Sequence, residues 1–334
     1  MAGIRITDPP APGSAVAFAP GFGQRFILTV DTEEEFDWTK PIERSGHTVH
    51  TIARLARFQE FCEGAGICPI YLVDYPIATS PAAAEILRGP LADGRAEIGV
   101  QLHPWVSPPH DEEVSEYNSF AGNLPPKLER EKFSRLRNAI HDNFGKAPLI
   151  YRAGRYGVGP NSAQILADGG IAIDTSVRSN FDYSFAGGPN FRRLPLTPWW
   201  IDADRRLMEL PLTTVYSGVL RQLGDWLYPR LWRVPQMRGV LSRLGIMERI
   251  PLTPEGVTLD EALRGIDIAL DMALPLLVFS FHSPSLAPGY TPYVRNEDDL
   301  DALYDWWRGV FAYLRKRGCA PTTVREIMAS VMLA

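Results

Sequence analysis

The chain has 334 residues, 45% of them hydrophobic and 22% charged, which is enough to bury a large core in one α/β domain or in a domain that carries a substantial insertion. A net charge of −5, with no lysine/arginine block and no interleaved basic and aromatic residues, argues against a nucleic-acid partner. No apolar stretch approaches the ~20 residues that span a bilayer; residues 1–23 are rich in Pro, Ala and Gly and lack the pattern of a secretion signal, so a cytoplasmic location is expected. Cys62, Cys68 and Cys319 have no metal-ligand spacing and read as reduced packing residues.

The first element is a buried strand over residues 26–31, and it discharges into five acids: Asp31, Glu33, Glu34, Glu35 and Asp37. Carboxylates this close repel one another, and a solvated loop or a bound cation relieves that cost. Ile52, Leu55, Ala56, Phe58 and Phe61 then recur at helical spacing across residues 48–63 before Gly64 and Gly66. A strand over 68–73, a helix over 81–91, a strand over 96–102 and a helix over 126–144 follow. Next come a strand over 149–152, a helix over 161–167 and a short strand over 171–174. This alternation predicts parallel βα units. Between about 176 and 254 it breaks into a Pro-, Trp- and Arg-rich stretch that reads as a hairpin plus a helical excursion, including Asp225 to Tyr228, around a strand-like run at 207–212. A helix over 259–272, a strand over 276–281 and a helix over 297–316 complete the chain.

Chemistry in such folds sits at the C-terminal ends of the parallel strands. Five strand ends carry residues of catalytic type: Asp31 and Glu33, Gln101 and His103, Arg152 with Arg155 and Tyr156, Asp174, and His282. Asp31 and His282 each follow a largely apolar run, which favours function over surface. His103 alone fits a structural histidine equally well, and Arg152 would satisfy a buried carboxylate in either reading. Glu34, Glu35 and Asp37 read as a solvated loop, Asp174 as a turn cap or arginine partner, and Trp306 and Trp307 as helix core.

The order of these motifs resembles the polysaccharide deacetylases of the NodB-homology type, carbohydrate esterase family 4, over most of the chain. Thr29-Val30-Asp31 keeps the first aspartate of that family's Thr-Phe-Asp-Asp strand and moves the next acid to Glu33. The second motif, with two histidines, is matched in part by Gly99-Val100-Gln101-Leu102-His103-Pro104-Trp105. Gln101 and Trp105 stand where the two histidines are expected. Arg152-Ala153-Gly154-Arg155-Tyr156-Gly157 is similar to the third motif, with Gly154 in place of proline, and Phe279-Ser280-Phe281-His282 to the last. The acidic run from Asp31 to Trp38 and the His103-Pro104-Trp105 segment resemble most closely a divergent WalW-like branch.

The resemblance implies a distorted (β/α)7-type barrel, with residues 1–25 as an extension, 26–334 as one domain and an irregular insertion at about 176–254. It implies a divalent metal, zinc, held by Glu33 and His103 with Gln101 or Asp74 as a third ligand. Asp31 would be the catalytic base, Arg152 its orienting partner and His282 the proton donor. Tyr156, Arg155, Trp105 and Trp199 would contact a carbohydrate or sugar-linked precursor. The implied activity is metal-dependent removal of an N-acetyl or other acyl group from a sugar in surface-polysaccharide metabolism. Two other readings stay open: a catalytically silent barrel that binds a glycan or biosynthetic partner, suggested by Gln101 and Trp105, and a glycosidase using Glu33 with Glu209, whose carboxyls would need to lie ~5–9.5 Å apart.

Overall fold

In the computed structural model, which describes residues 5–37, 39–224 and 246–332, the apolar runs become strands that lie side by side in parallel. They are β1 (Arg25–Thr32), β2 (Ile70–Val73), β3 (Glu97–Leu102), β4 (Ile150–Ala153) and β5 (Ile173–Asp174), then β7 (Met208–Glu209) and β10 (Leu276–His282). The order across the sheet is β10-β1-β2-β3-β4-β5-β7, every pair parallel, with β6 (Trp199–Trp200) antiparallel on the far edge of β7. Seven parallel strands curl into a distorted α/β barrel. Between β7 and β10 the wall is carried by the ribbon of β8 (Thr214–Ser217) and β9 (Glu248–Pro251). Thr213 Oγ1 accepts the Val278 N–H at 2.9 Å and the Leu252 carbonyl accepts the Ser280 N–H at 3.2 Å.

The period-two alternation of the strands sorts their side chains into two cores. Phe26, Leu28 and Val30 point outward to the helices, while Ile27, Leu72, Ile150, Ile173, Met208, Leu276 and Val278 fill the barrel interior. The interior is so narrow at its closed end that only glycine fits at position 99, where a Cβ would lie 2.5 Å from Leu72 Cδ2 and 2.7 Å from the Ile150 carbonyl oxygen. Followed toward the C-terminal strand ends, the same inward lines turn polar: Ile27 leads to Thr29 and Asp31, Ile150 to Arg152, and Val278 to Ser280 and His282. The register then sets the neighbours, with Asp31 opposite His282 and Gln101 opposite Arg152.

The helices form where apolar residues recur every three or four positions. In α1 (Leu55–Ala65) the buried residues include Leu55, Phe58 and Cys62, and Gly66 at φ 74° ends the helix in the left-handed conformation. The short α2 (Tyr75–Ala78) and α3 (Pro81–Ala92) are capped by Asp74 and Ser80. α4 (Pro126–Phe144), α5 (Ser162–Asp168), α6 (Leu259–Asp271), α7 (Glu297–Lys316) and α8 (Val324–Ser330) follow. Helix α6 starts with a reciprocal Thr258/Glu261 capping box. Helix α7 begins with Glu297, Asp298 and Asp299 and ends with Arg315 and Lys316, charges that complement its dipole. Trp307 and Phe311 of α7 pack with Phe279, Phe281 and Phe26, ring to ring at 5.3–6.3 Å, fixing the helix across β1 and β10.

The helix expected over 48–63 starts late. Residues His50–Arg54 form a 3₁₀ turn, whose otherwise free Thr51 N–H is taken by the Glu35 carboxylate. The region from 176 to 254 holds the expected hairpin as β6 and β7, and β7 itself is a parallel member of the barrel. Asp225 to Tyr228 of that stretch lie outside the described residues, as does Trp38. Residues ahead of β1 are packed down, with Ile6 fully buried and Phe18 stacked on Phe22 at 4.4 Å. All three cysteines are free. Among the described residues no helix is long and apolar enough to cross a membrane.

Candidate active site

At the C-terminal strand ends a cavity of about 970 Å³ is lined by Asp31, Glu33, Gln101, His103, Arg152 and His282, together with Trp105, Arg155 and Tyr156. Nine residues singled out from the sequence therefore meet in one place, while Asp74 and Asp174 do not line it. Nor does Trp199. It lies in β6, pairs with Glu209 and is 3% exposed, so it is packed into the barrel wall.

One side of the cavity floor consists of charges paired one to one. The Arg152 guanidinium is completely buried; Nη1 donates to Asp31 Oδ1, Nη2 to Thr29 Oγ1 at 3.0 Å and Nε to the Thr175 carbonyl at 3.1 Å. Asp31 Oδ2 faces His282 Nε2 at 3.8 Å. Behind His282 stands Glu255, which takes Nδ1 at 2.7 Å and the His282 backbone N–H at 3.1 Å, and accepts the Ser285 hydroxyl at 2.7 Å. Burial alone would pull the imidazole down, but Glu255, Glu33 and Asp31 outweigh it and push His282 up to about 10. Glu255 escaped the sequence reading. It lies in the bend between β9 and α6, past a short strand that the sequence pattern did not mark.

The other side gathers acids around one imidazole. His103 Nδ1 meets Glu34 Oε2 at 2.9 Å, and Nε2 lies 3.5 Å from Glu33 Oε2. Trp105 Nε1 donates to Glu34 Oε1 at 2.7 Å, and its ring stacks on His103 at 4.3 Å. One face of Trp105 is thus committed to the histidine, and the residue is only 5% exposed. Glu34 and Glu35, expected in a solvated loop, are buried. Glu34 is bound as described, and Glu35 accepts from Thr48 and Thr51, so the chain leaves β1 with its acids folded inward. Asp37 is exposed.

Asp74 caps α2 by accepting the Ile77 N–H at 2.9 Å and also takes the Glu34 N–H at 2.8 Å. Burial pushes Asp74 well up, and the adjoining Glu34 carboxyl pushes it further. Glu34 is raised less decisively, because Asp74 and Trp105 donate to it. Glu34 faces both His103 Nδ1 and the Trp105 indole N–H with its two carboxylate oxygens. Burial pushes Glu33 up to about 8, although His282 and His103 both pull it back.

Gly154 explains a departure from the resembled motif. A Cβ there would sit 2.3 Å from His103 Cδ2 and 2.8 Å from the Leu102 carbonyl, so a bare backbone makes room for the imidazole. The next two residues, Arg155 and Tyr156, carry φ of 53° and 62°, a left-handed strain that such sites concentrate. Tyr156 lines the cavity beside Tyr183, 5.5 Å between rings, while Arg155 pairs with Glu116 at 3.2 Å and lies over Phe120.

The donor set fits a divalent cation. Glu34, Asp74 and His103 offer ligand atoms within 4.8 Å of one another. In addition Glu33 Oε1 and Gln101 Oε1 are buried without a hydrogen-bond partner, both residues line the cavity, and the other Glu33 oxygen lies 3.5 Å from the His103 nitrogen that Glu34 leaves free. Imidazole nitrogen with carboxylate and amide oxygen is a donor mixture that such ions accept. Glu209 is fully buried and does not line the cavity; it stands opposite Asp174 in the β5–β7 register, and desolvation raises both. It cannot partner Glu33 across a glycosidic bond.

No protein-family profile and no curated protein matches this chain. Solved structures do. Puue allantoinase matches over 96% of this chain and 95% of its own, with a TM-score of 0.50 at 13% identity. A Mycobacterium smegmatis protein assigned as a polysaccharide deacetylase covers 94% of this chain and 98% of its own at 19% identity and TM-score 0.48. A family 4 carbohydrate esterase from Streptomyces lividans, solved with acetate, covers 93% and 97% at 10% identity and TM-score 0.44. The structural neighbours thus include polysaccharide deacetylases and family 4 carbohydrate esterases. The likeness to Puue allantoinase, at 13% identity, speaks to the fold alone, the distorted (β/α) barrel.

Proposed function

We propose that this chain is a metal-dependent hydrolase that removes an acyl group, N-acetyl foremost, from an amino sugar of surface-polysaccharide metabolism. The observation that carries this reading is the opposed pair at the cavity floor: Asp31 Oδ2 and His282 Nε2 face each other at 3.8 Å, each backed by its own counter-charge, Arg152 and Glu255. Amide hydrolysis needs a base at one stage and an acid at the next. Asp31 accepts a proton from water as its oxygen bonds to the acyl carbon. His282, protonated at neutral pH, then gives its proton to the amide nitrogen as the C–N bond breaks and the electron pair stays on nitrogen. The products are a carboxylic acid and an amine, and the proton on Asp31 returns to His282 across the gap between them.

Glu33, His103 and Gln101 would hold the cation, with zinc the ion their nitrogen and oxygen donors suit. Glu34 would fix the His103 ring from behind, as carboxylates do for metal-bound histidines. When bound, such an ion acidifies water and polarises a carbonyl. Tyr156 and the exposed part of the cavity rim supply flat surfaces for a sugar ring.

Acetate release from a panel of N-acetylated sugars tests the reading. The wild type should turn over at least one of them, and Asp31→Asn and His282→Gln should both lose turnover with sugar binding retained. A wild type that binds sugars and releases no acetate would instead favour the glycan-binding reading.

A further inference from the structure

Among the described residues, four lysine and arginine side chains line the cavity, and three of them have a carboxylate within reach: Lys40 with Asp37 at 3.3 Å, Arg152 with Asp31, and Arg155 with Glu116 at 3.2 Å. Arg178 has none. It follows β5 and is pinned to the frame by a parallel bridge to Leu212. Its guanidinium lies 3.9 Å from the Phe181 ring centroid and 5.2 Å from that of Tyr156, and Nη1 donates to the Tyr183 hydroxyl at 3.2 Å. Nε is buried and makes no hydrogen bond.

Stacking on aromatic rings satisfies the faces of a guanidinium and leaves its N–H edge unspent. A partly desolvated cation whose edge meets only a neutral phenol is costly to hold in a cavity wall, unless something that enters the cavity completes it. The planar donor edge matches an oxyanion. We propose that the cavity takes an anionic substrate, and that Arg178, between Phe181 and Tyr156, binds its carboxylate or phosphate group. This deepens the hydrolase reading by naming the substrate as an acylated sugar that also carries an acid. The anion site itself, however, does not depend on turnover.

The test is equilibrium binding by calorimetry, with the full chain and three probes of one ring type: N-acetylglucosamine, its uronic acid and its 6-phosphate. The wild type should bind at least one acid about tenfold or more tightly than the neutral sugar, in a salt-sensitive manner. The tighter of the two acids identifies the group. Arg178→Gln should bring acid and neutral sugar to parity without weakening the neutral one, while Arg178→Lys, which keeps charge but not the fork, should retain the phosphate preference better than the carboxylate preference. No acid preference in the wild type, a preference independent of salt, or one that survives in Arg178→Gln would overturn the proposal. Thermal melting of both variants separates loss of the anion site from loss of the fold. Because no step requires acetate release, an inactive protein that still prefers acids would sink the hydrolase reading alone, and an active one without preference would sink this inference alone.

Discussion

Two strand-end regions of this barrel bury clustered acids, and only one of them opens onto the cavity. At β5 and β7, Asp174 and Glu209 lie side by side; desolvation raises Asp174 to about 6 and Glu209 well above its usual range. Ser176 donates to Asp174 at 2.6 Å and the Val177 N–H to Glu209 at 3.0 Å, and neither acid lines the cavity. At β1 to β3, Glu33, Glu34 and Asp74 show the same upward shifts from the same cause. Each region holds two buried side-chain oxygens without partners, Asp174 Oδ2 and Glu209 Oε2 in one and Glu33 Oε1 and Gln101 Oε1 in the other; the difference is that the second pair lines the cavity, beside an imidazole with one nitrogen tied down. Perturbed carboxyls mark burial. A site needs unspent donor atoms facing a space a ligand can enter.

Catalytic substitutions should break this comparison most severely. His282→Gln removes the proton donor and should lower kcat about 10²- to 10⁴-fold, measured as acetate release; an unchanged rate would remove His282 from the chemistry. Glu34→Gln comes next. It leaves a neutral group behind His103, and metal affinity should fall about 10- to 100-fold with stoichiometry intact. Complete loss of metal in this variant would show that Glu34 is itself a ligand, and that the cation sits at the Glu34–Asp74–His103 group. Gly154→Ala should displace the His103 ring through contact with the new Cβ and weaken metal and substrate binding together, by an amount of order 1–3 kcal/mol for an overpacked site.

The β5–β7 pair gives the smallest effect on function and a distinct one on stability. Both acids have folded-state values above their unfolded ones, so the stability they permit is fully present below about pH 4 and is lost as pH rises, through about 6 for Asp174 and higher for Glu209. Glu209→Gln removes one ionisation from that balance. Urea unfolding should find the variant more stable than wild type above about pH 6, by an amount of order 1–3 kcal/mol, with metal content and turnover unchanged. A loss of metal would erase the distinction between the two regions.

The inward strand ends were legible because an apolar run with period two tells both where a strand stops and which way its last side chains point. That logic reaches Asp31, Arg152 and His282 directly. It reaches Gln101 and His103 as well, since His103 directly follows β3. It fails two residues past β1, where the backbone has left the strand and parity no longer assigns a side; Glu34 therefore looked like a loop residue although it holds His103 and Trp105. Glu255 and Arg178 sit in irregular chain brought to the cavity by the β8–β9 ribbon and the Leu212 bridge, contacts that no local spacing encodes. Trp199 misled for the opposite reason, since a paired tryptophan suits a sugar shelf and a barrel wall equally well.

The most direct test of the central claim is the metal content of protein purified without chelator and resupplied with zinc, measured by elemental analysis for wild type, Glu33→Ala, His103→Ala and Glu209→Gln. This account predicts about one divalent ion per chain in the wild type and in Glu209→Gln and none in the other two. A wild type that takes up no metal at any supplied concentration, or metal retained in both Glu33→Ala and His103→Ala, would contradict it.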